Sequence, residues 1–221
     1  MVILASADLH GDKDIYEWLV GAAISAEPDV MVLAGDLLGV STASGTIEEA
    51  QQMNAYEILK IINQIDLCVL YLMGNDDAIE LEPNGDSMRS INGVRIEIGD
   101  LNFVGYQYSL PFMGGIFEKS EDAIRNDLVS LFSLVDDHTV FVTHSPAYGT
   151  LDTGVFGLPA GSQAIGELIE HRKPLLHIHG HIHEEFGIWG RHFNVAAAGH
   201  KRAILIDTYT MDYQILYDES D

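Results

Sequence analysis

Val30-Met31-Val32-Leu33-Ala34-Gly35-Asp36 is a run of five apolar residues closed by a glycine and an acid. A run this short, bounded by a turn signal, reads as a buried strand. Ahead of it, Ile15, Leu19, Ala22, Ala23 and Ala26 recur at helical spacing, and Pro28 stops that helix. Ahead of the helix, residues 1–7 form another apolar run that ends at Asp8. Behind the quoted stretch, Ile47, Ala50, Met53, Ile58 and Ile61 mark the inward face of a helix over residues 47–62, which leads into the apolar run 67–72. Three strand-and-helix steps in succession predict an α/β fold with a largely parallel sheet.

The middle of the chain changes character. Gly85-Asp86, Asn92-Gly93 and Gly99-Asp100 are turn signals, and residues 94–98 and 101–106 read as neighbouring hairpin strands, so the sheet gains antiparallel members. A Gly-rich loop at Met113-Gly114-Gly115 precedes a helix over 121–134 and a strand over 139–143. Gly161-Ser162 opens a helix to His171, followed by a strand over 175–178. Residues 193–197, 203–207 and 213–217 read as closing strands before an acidic tail, 218–221. With no repeat or linker, one compact domain over residues 1–221 is expected.

Five apolar runs end, at their C-terminal side, next to metal-binding residue types. These are Asp8 with His10, Asp36 after Gly35, Asn75 after Gly74, His144 after Thr143, and His181 with His183 after Gly180. In open α/β sheets ligands bind beyond the carboxyl ends of the strands, so side chains distant in sequence can converge there. Imidazole, carboxylate and amide oxygen together suit Mn, Fe, Zn or Ni better than Ca. Residues two apart in extended chain point to one side, so Asp8 with His10 and His181 with His183 each present two donors to one cavity. Glycine before Asp36, Asn75 and His181 lets the backbone turn and approach closely.

Asp8-Leu9-His10-Gly11, Gly35-Asp36, Gly74-Asn75-Asp76-Asp77, Thr143-His144-Ser145-Pro146 and Gly180-His181-Ile182-His183 resemble, in order, the five motifs of the calcineurin-like metallophosphoesterases. The resemblance implies a four-layer αββα sandwich of two mixed β-sheets with a dinuclear centre between loops. By matching motifs, Asp8, His10, Asp36 and His183 would hold one ion, and Asp36, Asn75, His144 and His181 the other, with Asp36 bridging. It further implies hydrolysis of a phosphodiester or phosphomonoester by a hydroxide bound at two divalent ions, with manganese the foremost candidate. The third motif usually reads Gly-Asn-His followed by an acid. Here Asp76 stands in place of that histidine and Asp77 keeps the acid, so Asp76 is expected to be a poor general acid, with His10 an alternative proton donor.

Other residues near the motifs read differently. His177 and His179 lie on the incoming strand and are expected to be structural or to support the ligands from behind. Ser162 reads as an ordinary helix cap. Tyr106, Tyr108, Phe112 and Phe117 fit either a substrate wall or core packing, and no Arg stands beside a motif to clamp phosphate.

Composition narrows the partners. Thirty-four acidic against 11 basic residues give a net charge of −23, a field that repels a nucleic-acid backbone, so duplex binding is not expected. The acidity reads as a solvated surface suited to a salty cytosol, and it also helps to hold cations. No apolar run reaches membrane-spanning length and the start lacks a basic leader, which predicts a cytoplasmic protein acting on a small phosphate ester away from membranes. The lone Cys68 lies in an apolar run and forms no internal disulfide. Two rival readings stay open on sequence alone. One is a non-catalytic metal-binding interaction module on the same fold, for which seven competent donors are unnecessary; the other is a single-metal hydrolase.

Overall fold

The computed structural model describes residues 1–39 and 45–218. Two six-stranded mixed sheets pack face to face between two pairs of helices, which is the sandwich that the resemblance implies. In the first sheet, β1 (Val2–Ser6), β2 (Val30–Ala34), β3 (Val69–Leu72) and β4 (Met88–Ser90) run parallel. Strands β11 (Arg202–Asp207) and β12 (Asp212–Tyr217) extend it antiparallel from β1. In the second, β6 (Leu101–Tyr106), β7 (Thr139–Thr143), β8 (Leu176–His179) and β10 (His192–Asn194) are parallel. Its antiparallel edges are β5 (Arg95–Ile98) and β9 (Gly187–Trp189).

The alternation of side chains along the strands builds the layers. Ile3, Ala5, Val30, Val32, Leu70 and Leu72 face Phe103, Val140, Val142 and Ile178 across the space between the sheets. Their neighbours Leu4, Met31, Leu33 and Tyr71 point the other way, into α1 (Lys13–Ala26) and α2 (Ile47–Ile62). Phe141, Val104 and Tyr106 likewise meet α3 (Glu121–Leu131) and α4 (Gln163–Arg172). Strands covered on both faces have no solvated side, which is why β1, β2 and β7 read as unbroken apolar runs without a polar alternation.

Helix starts follow their caps. Asp12 accepts from the N–H groups of Asp14 and Ile15, and Thr46 with Glu49 forms a reciprocal capping box. Ser162 caps Ile165 as expected, and Glu121 accepts from the N–H of Ala164, so the start of α4 is already occupied by protein groups.

Several details differ from the sequence reading. On α2 the buried side chains are Gln51, Ala55, Ile58, Ile61 and Ile62, whereas Ile47 and Met53 are exposed. Ile58 and Ile61 face inward as read, while in the first half of the helix the buried amide of Gln51 takes the core side, hydrogen-bonded to Leu38 O and Asp76 O. Strands β4 and β9 are three residues each and too short to produce a periodic signal. Of the expected acidic tail, residues 219–221 lie outside the described residues. No helix among the described residues is long and apolar enough to cross a membrane.

Candidate metal centre

The motif residues sit just past the carboxyl ends of β1, β2, β3, β7 and β8, and their loops are stitched together through the backbone. Asp8 N–H donates to Gly35 O at 2.9 Å, His10 N–H to Asp36 O at 2.9 Å, and Gly180 N–H to His144 O at 3.1 Å. Asp8, His10, Asp36 and His181 take left-handed φ values of 55°, 45°, 51° and 71°. That conformation is sparsely populated for non-glycine residues and costs of order 1–3 kcal/mol each, so strain is concentrated at this place.

Glycines make the close approach possible. A Cβ on Gly35 would collide with the His144 ring, one on Gly74 with Asp36, and one on Gly180 with the Asp8 carboxylate.

The donors form overlapping triads. Asp8 with His10 and His183, Asp8 with Asp36 and His144, and His10 with Asp36 and Asp76 each offer ligand atoms within 4.8 Å of one another. Asn75 joins through its Oδ1, 3.0 Å from His144 Nε2. His181 packs its ring against His144, with centroids 5.0 Å apart, and its N–H donates to both oxygens of Asp8. Its ring nitrogens join none of the three triads. Asp8, Asp36 and His144 are buried, whereas His10, Asp76 and His183 line the solvent side.

Electrostatics follow from that burial. His144 Nδ1 lies 3.0 Å from Ala34 O, and a carbonyl can only accept, so Nδ1 carries a proton. Burial opposes charge on His144, yet the Asp36 carboxylate 3.4 Å away outweighs it and pushes the imidazole up to about 10. Reciprocally, burial works against ionised Asp36 but the positive charge of His144 holds it below the usual carboxylate range. Burial lowers His181 to about 4, and the charge of His144 adds to that. The hydrogen bond to Asp8 raises His183. Asp76 is pushed up by burial and then by Asp36; it accepts from Asn75 Nδ2 at 2.8 Å and lies 3.6 Å from His10 Nδ1.

Sequence reasoning passed over the residues that brace these loops. Asp77 is buried and accepts from the N–H groups of Leu37 (3.2 Å), Leu38 (2.7 Å) and Gly74 (2.8 Å), which locks the second motif to the third. Gln51 reaches from α2 to Leu38 O, Asp76 O and the N–H of Ala78. Asn194 Nδ2 donates to Ile182 O at 2.7 Å and fixes the last motif from β10. A polar residue at an inward helical position was the available signal for Gln51; Asn194 gave none. His177 and His179 stand outside the donor cluster, as expected. Tyr106 and Phe117 are core residues, Tyr108 packs partly buried against the same cores, and Phe112 is exposed.

The calcineurin-like phosphoesterase family model matches residues 1–185, which spans all of these motifs. The chain belongs to that family. The calcineurin-like phosphoesterase fold is shared with several solved structures. The protein TT1561 of Thermus thermophilus superposes with a TM-score of 0.73 at 19% identity over 98% of both chains. A dimetal phosphatase from Danio rerio gives 0.62 at 10% identity over 98% of each chain. A phosphodiesterase described as archaeal gives 0.53 at 14% identity over 99% of this chain and 100% of that one. At such identities the likeness is one of fold. Among curated sequences, a probable rhamnogalacturonate lyase C of Emericella nidulans is 27% identical in a 177-residue alignment that covers 72% of this chain and only 16% of that protein's length. Membership of the calcineurin-like phosphoesterases implies divalent metal ions and a phosphoesterase function.

Proposed function

We propose that the chain hydrolyses a small phosphodiester or phosphomonoester at a pair of divalent ions. The observation that carries this reading is the meeting of lone pairs at His144. Its Nδ1–H is committed to Ala34 O, so Nε2 of the neutral ring is an acceptor, and it faces Asn75 Oδ1 at 3.0 Å and Asp36 Oδ2 at 3.4 Å. Asn75 is not free to turn its amide N–H groups there, because Nδ2 donates to Asp76. Three acceptors in contact call for a cation among them, a proton or a metal ion.

The donor set fits such ions. Asp8, His10, Asp36 and His183 would hold one, and Asp36, Asn75, His144 and His181 the other. Nitrogen and oxygen donors without thiolate favour Mn, Fe, Zn or Ni, and manganese is the first to test. When bound, two divalent ions supply a water of lowered pKa and positive charge for the phosphate oxygens. The chain's own groups do the rest. Ala34 O holds the His144 imidazole in place from behind, and Asp8 fixes the backbone of His181. On the solvent side, His10 stands beside Asp76 with its Nδ1 3.6 Å from the carboxylate, and His10 rather than Asp76 is the group that would hand a proton to a leaving oxygen.

The test is hydrolysis of aryl phosphate mono- and diesters by the purified chain, with Mn added and after chelation, beside Asp36→Asn. The expected result is turnover that chelation removes, that metal restores, and that the variant lowers by about 100-fold or more. No turnover with any metal would favour the non-catalytic module.

A further inference from the structure

On the outer face of the second sheet, away from the strand ends that bear the motifs, a cleft of about 560 Å³ opens between the end of α4 and the β9–β10 hairpin. Its volume falls within the range of small-molecule sites. Lys173 and Ile169 form one wall, Trp189, Arg191 and His192 the other, and the buried ring of His177 lies at its base. No carboxylate lines it, in a chain with 34 acidic residues. Glu167 and Glu170 line the adjoining cleft, which shares Ile169, Trp189 and His192 with this one.

The state of the cations is equally unusual. Lys13, Lys60, Arg95, Lys119, Arg125 and Lys201 all pair with carboxylates. Arg172 and Arg202 donate to backbone carbonyls, and Arg89 to Cys68 Sγ. Among the described residues, Lys173 and Arg191 have no ion pair, and they lie in the same cleft. Trp189 is 62% exposed on the edge strand, its indole tilted against His192 with centroids 6.2 Å apart.

The histidines are set by a chain of hydrogen bonds. Thr143 Oγ1 donates to Ser145 O, and so it accepts from His177 Nε2–H at 2.8 Å. A neutral His177 then accepts at Nδ1 from His192 Nδ1–H, 3.1 Å away. Burial keeps both imidazoles uncharged by lowering them below the ordinary histidine range. The lining is therefore two free cations, an indole and neutral rings.

We propose that this cleft is a second ligand site, for an anion that carries a planar aromatic ring, of which a nucleoside monophosphate is the representative size. Lys173 and Arg191 would take the charge, arginine in a forked geometry suited to phosphate or carboxylate, and Trp189 would stack on the ring. The site shares no lining residue with the metal centre.

The test uses Trp189 as its own reporter. The chain has two tryptophans, so a Trp18→Phe background leaves Trp189 alone. The Mn-treated chain is titrated with AMP, with adenosine (ring without charge) and with ribose 5-phosphate (charge without ring). The expected result is saturable quenching by AMP, with half-saturation raised about tenfold or more for either fragment and for Lys173→Ala/Arg191→Ala, and unchanged in Asp36→Asn. Three outcomes would overturn the proposal: no saturable quenching, quenching that the double variant leaves intact, or quenching lost in Asp36→Asn, which would assign AMP to the metal centre.

Discussion

His144 Nδ1 donates to the carbonyl oxygen of Ala34 at 3.0 Å, and this bond decides which face of the ring the rest of the site sees. Gly35 follows that carbonyl, at φ 96°, with no room for a Cβ beside the imidazole. Gly35→Ala should therefore displace the ring and weaken Mn binding by about 10–100-fold, the usual effect of losing an orienting partner. Calorimetric titration checks it; unchanged affinity would mean that the carbonyl does not orient the ligand.

Asp77 joins two motif loops through three backbone N–H groups. Burial and then the charge of Asp36 push its carboxyl up to about 8, against the pull of those donors. Asp77→Asn turns an amide N–H toward a backbone N–H and should destabilise the fold by roughly 2–4 kcal/mol. For a chain of this length that is a fall in Tm of roughly 5–15 °C, read by thermal unfolding. A Tm within a degree of the parent would show that the brace is dispensable.

Asp76 takes the position where the family's third motif usually has histidine. Cations held at Asp36 would oppose the upward push that burial gives the Asp76 carboxyl, and would favour its ionised form. Asp76→His should then raise turnover of esters with poor leaving groups by about tenfold or more, and leave aryl esters unaffected. Asp76→Asn should change neither. A large loss in Asp76→Asn on alkyl esters would make Asp76 the proton donor after all.

His177 is buried and uncharged in the folded chain, first through desolvation and then through its imidazole neighbours His179 and His192. Below about pH 6.5 the unfolded chain takes up a proton at this residue and the folded chain does not. Stability therefore falls as pH drops below that value, by about 1.4 kcal/mol per pH unit for this one group, and is insensitive to it above. Urea unfolding between pH 7 and 5 should show a slope shallower by that amount in His177→Gln. Equal slopes would mean that His177 is protonated in the fold.

Apolar runs, turn residues and motif order make the fold and the meeting of the motif residues legible in the sequence. The strand 30–34 and the helix 47–62 are read at their observed bounds, the first because Pro28 and Gly35 punctuate it and the second from the spacing of its apolar residues. The rest depended on pairing over distance. Met88–Ser90 becomes a strand only by lying beside β3, and Met53 looked inward until Gln51 claimed the core side for its hydrogen bonds. The convergence of Asp36 and His144 was inferred from topology, whereas the supports from Asp77 and Asn194 involve partners far apart in sequence. The cleft at Trp189 left no trace in a linear reading, since its two cations are eighteen positions apart and meet only across a hairpin.

The seven donors are divided between the two halves of the sandwich. Asp8, His10, Asp36 and Asn75 hang from the first sheet, and His144, His181 and His183 from the second. An ion held among them would be a rivet through the seam, and every tenfold excess of metal over its dissociation constant would stabilise the folded chain by about 1.4 kcal/mol. Chelation should loosen the seam first where the halves meet, and amide exchange at Ala7 and Ala197, whose backbones bond across that junction at 2.7 Å, would register the slackening before either sheet unravels.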